Sequence, residues 1–153
     1  MKPNLTSETG KHFEGTSFGR EFPDITASWL AGEIDSETAG ARMILRSGAG
    51  SGSREGWHDQ VEAVIDFALY MSNDGDGPFG NWVGYTDGLI NKALELAPDN
   101  NHALVYGEIG MLHMGMSYRA DKLGDKIASE RIKDSERTVR AHRARDPLRW
   151  SMA

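Results

Sequence analysis

Apolar positions in this chain recur mostly at helical spacing. Trp57, Val61, Val64, Ile65 and Ala68 fall at i, i+4, i+7, i+8 and i+11, the stripe of an amphipathic helix over 54–71. Asp59, Glu62 and Asp66 form its wet face. Leu89, Ile90, Ala93 and Leu94 repeat the pattern over 85–97, which Pro98 ends. After Pro23, Asp24 predicts the cap of a short helix over 25–31, with Trp29 and Leu30 inward, and Gly32 breaks it. Asp35 or Ser36 caps a further helix to Arg46 that carries Ala39, Met43 and Ile44. A last helical stretch covers 122–145, continuous with the one before it or kinked near Gly124, and Pro147 stops it. Between these, 47–53 reads as a flexible connector and 73–88 as a long glycine-rich loop.

The segment Asn101–Tyr118 differs from the others. Leu104, Val105, Tyr106, Ile109, Met111, Leu112, Met114 and Met116 are spread around its whole circumference, and no polar face remains. A helix of this kind is expected to be buried on all sides, with Leu104, Met111, Leu112 and Met114 in the core and Asp99 or Asn100 as its cap. Glu108, His113 and its glycines make it too short and interrupted to span a bilayer. Ala103, Gly107, Met111 and Gly115 recur every four residues, a partly small ridge that admits a second helix, so Gly107, Met111 and Gly115 are candidate contacts between copies.

These elements predict an all-α, single-domain bundle of about five helices around a buried central helix. Residues 1–23 form an irregular arm whose Phe13, Phe18 and Phe22 anchor it to the body or to a neighbour. Residues 24–121 form the helical core, and 122–153 a basic helix and tail. At 153 residues the chain suits one domain, and without cysteine it has neither disulfides nor thiolate metal sites. No apolar run reaches membrane length, and the first residues lack the apolar core of a signal peptide. The expected location is the cytoplasm, or a host cell or virion for a phage protein. Charge is uneven. Residues 1–119 hold 8 of the 17 basic and 17 of the 23 acidic side chains, a net of −9, whereas residues 120–153 carry a net of +3.

Several constellations bear on chemistry. His58, Glu62 and Asp66 stand at i, i+4 and i+8 and, joined by Glu108 or His113, would make a carboxylate–imidazole metal site for a metal-dependent enzyme. A solvated helix face explains the same spacing. Met111 and Met114 share one face while His113 and Met116 share another, so the four cannot gather round copper(I). The calcium-like stretch from Ser72 has serine and Val83 where a calcium loop needs Asp and Glu. Lys92–Pro98 resembles the closing turn of a tetratricopeptide repeat over seven residues, but the chain lacks that repeat's period of about 34 residues. Arg137, Arg140, Arg143 and Arg145 on the last helix are candidate anion contacts, which gives a nucleic-acid-binding alternative.

The resulting expectation is a non-catalytic helical interaction protein: a self-assembling subunit, an adaptor or an inhibitor, of a kind that also suits a phage or mobile element. It calls for no cofactor, a homo-oligomer or an unidentified protein partner, and no membrane. The aromatic loop supplies its partner-binding residues, Phe79, Trp82 and Tyr85 beside Asp74 and Asp76, because aromatic side chains dominate binding hot spots.

Overall fold

The computed structural model describes residues 13, 15–50, 54–72 and 80–151, with the side chains of 48–50 and 54 excepted. These residues form an all-α fold without strands. The helices are α1 (Ser17–Glu21), α2 (Pro23–Leu30), α3 (Ser36–Gly50), α4 (Arg54–Ser72), α5 (Asn81–Leu96), α6 (His102–Leu123) and α7 (Lys126–Arg145), with a 3-10 turn at Asp99–Asn101.

The helix over 54–71 is present as α4, and its stripe is in the core: Val61, Val64, Ile65 and Ala68 are buried and Trp57 is half-buried. Other boundaries moved for identifiable reasons. α2 begins at Pro23, where a proline's missing N–H costs nothing, and Phe22 holds the cap position. Asp24 is therefore not the cap but pairs with Arg46 at 2.6 Å. Asp35 does cap α3, accepting the Thr38 N–H at 2.7 Å. That helix runs through the first half of the expected connector to Gly50, and 51–53 lie outside the described residues. α5 starts at Asn81, four residues earlier than expected, because Gly80 takes a left-handed conformation (φ 71°) and its N–H bonds Asp125 Oδ2. Asp99 and Asn100 belong to the 3-10 turn, so Asn101 precedes α6 without a side-chain cap. The chain breaks at Gly124 (φ 67°), and Asp125 caps α7 through the Ala128 N–H at 2.9 Å.

Residue 13 and residues 15–23 of the expected arm are part of the body. Phe13, Phe18 and Phe22 are buried. Phe18 meets Phe67 edge-on at 5.2 Å between centroids, and Phe13 meets Trp29 at 5.3 Å. Trp29 of α2 also meets Phe67 at 5.2 Å, so this aromatic cluster ties α1 and α2 to α4.

α6 touches α3, α4, α5 and α7, and is central in that sense. Val105, Ile109, Leu112, Met116 and Ala120 are buried among those neighbours. The expectation that it is buried on every side does not hold. Leu104 is 37% exposed and Met114 67% exposed, because no described element covers the outer face. No helix of the described residues is long and apolar enough to cross a membrane.

Candidate functional site

The open face of α6 is set by its flanks. On one side Gly115 lets α4 approach so closely that a Cβ there would lie 2.8 Å from Val61 Cγ1, and Arg119 bridges to Glu62 and Asp66 of α4. On the other side His113 meets Ser135 and Tyr106 meets His142, both on α7. Between these flanks lie Ala103, Leu104, Gly107, Gly110, Met111, Met114, Ser117 and Tyr118, all exposed or half-exposed. None carries a charge, in a chain with 26% charged residues. Leu104, Gly107, Met111, Met114 and Tyr118 alternate at three and four residues, the spacing of a helix–helix seam. Gly107 and Gly110 have nothing within 4 Å of where a Cβ would stand, so a neighbouring backbone could come close. A groove of about 390 Å³ runs along the α4 side, with Met111, Met114 and Tyr118 on one wall and His58, Asp59 and Glu62 on the other.

A second polar assembly ties α6, α7 and the C-terminal segment together. Asp146 Oδ2 accepts from the Tyr106 hydroxyl at 2.7 Å and lies 2.7 Å from His102 Nδ1. Tyr106 has one proton and gives it to Asp146, so His142 Nδ1–H donates to the Tyr106 oxygen at 2.9 Å. Burial works against the charge, yet the bonds from His102 and Tyr106 hold Asp146 down to about 2. The Ala103 N–H bonds Ser151 O. Beside this chain of bonds is an open cavity of about 480 Å³ lined by Asn91, His142, Arg145 and Pro147 among others.

Two further groups are internal. Glu108 is 1% exposed and accepts from Trp57 Nε1, with Ser47 Oγ at 2.5 Å from its other oxygen. Burial pushes its carboxyl up to about 7. Ser47 also bonds Ile44 O at 2.9 Å, and one hydroxyl proton cannot serve both acceptors. A protonated Glu108 donating to Ser47 resolves the count. Likewise Ser135 donates to Asp87 at 2.5 Å, so the proton between it and His113 comes from His113 Nε2. Burial raises the Asp87 carboxyl and lowers the His113 imidazole.

The residues expected to form sites are dispersed. Asp74, Asp76 and Phe79 lie outside the described residues. Trp82 is fully buried, its Nε1–H donating to Asp125 Oδ2 at 3.2 Å, so its ring fills the core rather than facing a partner. Tyr85 is half-buried, and burial pushes its hydroxyl up to about 12. Gly107 and Met111 share the open face, whereas Gly115 serves the contact with α4. His58, Glu62, Asp66, Glu108 and His113 do not converge. Glu62 and Asp66 hold Arg119, Glu108 holds Trp57, and His113 turns to α7. Among the described residues no three His, Asp or Glu side chains form a metal-binding group. Arg137 pairs with Asp134, and Arg143 lies over the rings of Tyr106 and Trp150 at 5.3 and 4.9 Å. Arg140 and Arg145 remain exposed. Sequence reasoning missed the assembly around Asp146. Its only sequence signal was an aspartate before Pro147 and four residues after His142, with His102 and Tyr106 about 40 residues away beyond Gly124.

No protein-family model, curated protein or solved structure matches this chain.

Proposed function

We propose that the protein is a non-catalytic interaction protein that presents the outer face of α6 to another protein surface. One observation carries the reading: an uncharged arc from Ala103 to Tyr118 stands open on a helix whose remaining faces are enclosed by its own chain. Contiguous apolar patches on soluble proteins mark interaction sites, and methionine suits them because it adapts its shape. The strongly shifted carboxyls support the same reading, since Glu108 and Asp146 are engaged in bonds that join helices. The cysteine-free sequence suits a reducing compartment, and we place the protein in the cytoplasm, or in a host cell or virion for a phage source.

A photo-crosslinking residue at position 114, compared with one at the exposed Arg137 on the far side of α7, tests this in the cell that carries the gene. Discrete protein adducts at 114 and none at 137 are expected. Absence of adducts at 114, or equal adducts at both positions, would remove the reading.

A further inference from the structure

The α4 flank of the open face is acidic and the α7 flank is net basic, with Glu136 between Lys133 and Arg140, and the helix directions place these groups at matching heights. Trp57 reaches Glu108, Val61 and Ile65 reach Gly115, and Asp66 reaches Arg119, so α4 runs parallel to α6. Ser135 meets His113, His142 meets Tyr106 and Asp146 meets His102, so α7 runs antiparallel. On α4, the exposed Glu55 and Asp59 and the half-exposed Glu62 edge the open face. On α7, Arg131, Asp134 and Thr138 line the α5 side. Helical spacing then puts the stripe of Lys133, Glu136 and Arg140 on the opposite side, next to the open arc. By these contacts, Glu55 and Arg140 stand level with Gly107 and Glu108, Asp59 and Glu136 with Met111 and Leu112, and Glu62 and Lys133 with Met114 and Gly115.

This arrangement, taken with the interaction reading on which it rests, selects an occupant. A two-fold axis along α6 sets the α4 edge of one copy against the α7 edge of the other. Glu55 then faces Arg140 of the second copy and Glu62, which also holds Arg119, faces Lys133, at both ends of the same seam, with Asp59 opposite Glu136 between them. A two-fold axis perpendicular to α6 instead sets α4 against α4, acid on acid, and the net-basic α7 edge against itself. We infer that the partner of this face is a second copy of the same chain, docked through α6 with the two α6 helices parallel. The seam from Ala103 to Tyr118 is about 22 Å long and, with both flanking helices, about 16–20 Å wide. These dimensions give about 350–440 Å² per copy, below the total of about 1,000 Å² that a stable specific interface buries, so the dimer is weak and forms reversibly.

The absence of cysteine gives a clean background for crosslinking. In the parallel pair Met114 faces Met114 of the second copy, so Met114→Cys forms a disulfide dimer under mild oxidation. In an antiparallel pair centred on Met111, Leu104 faces Tyr118, so a mixture of Leu104→Cys and Tyr118→Cys proteins gives the mixed dimer instead. Met114→Cys dimers without mixed dimers support the proposal. Mixed dimers without Met114→Cys dimers would overturn the parallel geometry. A protein that stays monomeric in sedimentation at all concentrations would overturn the second copy as occupant, while crosslinks at 114 to a different protein would still leave the interaction reading standing. Charge exchange provides an independent check. Glu55→Lys and Arg140→Glu are each expected to weaken the dimer about tenfold, and the two together to restore it. Failure of the pair to recover, with both singles folded, would contradict the facing of these edges.

Discussion

Trp82 and Glu108 show how a single residue's role is decided by what encloses it. Trp82 sits in a loop-like, glycine-rich stretch that invites a surface reading, yet its ring has no exposure and its N–H meets the Asp125 carboxylate. Trp82→Ala is expected to cost about 3–5 kcal/mol in denaturant unfolding, the usual cost of emptying a buried aromatic site. Glu108 is a carboxyl whose folded value is raised, by burial, to about 7 from an ordinary 4.5. The unfolded chain therefore releases this proton at lower pH than the fold does. This group's contribution is complete below the unfolded value and is lost as pH rises from about 4.5 to about 7, on the order of 2–4 kcal/mol. Glu108→Gln is expected to flatten the stability–pH curve across that window. A curve of unchanged slope would place the titration elsewhere.

Among the elements, α4 was legible because its apolar stripe and its environment agree: one face is buried, and the period says so. α6 was legible as a helix but not in its burial, because periodicity registers apolar side chains without registering how many sides have neighbours. Its glycines separate the two cases. Gly107 is open, so Gly107→Ala should raise the melting temperature of the dilute protein by the equivalent of about 0.5–1 kcal/mol. At Gly115 a Cβ would press on Val61 and Ile65, so alanine there should lower it despite the better propensity. The capping of α7 by Asp125 and the tie at Asp146 were hidden for a different reason. Both depend on contacts across the fold, such as Gly80 to Asp125 and His102 to Asp146, which no local window contains. Asp146→Ala should release the C-terminal segment, read as faster hydrogen exchange at the Ala103 amide that bonds Ser151. Unchanged exchange there would mean that the segment is held by Arg143 and Trp150 alone.

For the whole molecule, the proposed surface is an uncharged seam on α6 between an acidic edge of α4 and a net-basic edge of α7. The all-α architecture could be read from periodicity and proline placement, and the ridge with Gly107 and Met111 marked part of the open face, whereas its exposure could not be read. Its residues are ordinary core-like types, and only the absence of a covering element on that side makes them a surface. The expected aromatic contact loop gives way to this face, since Trp82 is internal and the acidic loop residues lie outside the described structure. In our proposal this face joins copies of the chain. Sedimentation equilibrium of the wild type and of Met114→Glu, from micromolar to millimolar concentration, tests it most directly. A reversible dimer for the wild type, lost in Met114→Glu with an unchanged melting temperature, is the predicted result. Monomers for both proteins over the whole range, or a dimer indifferent to the substitution, would contradict it.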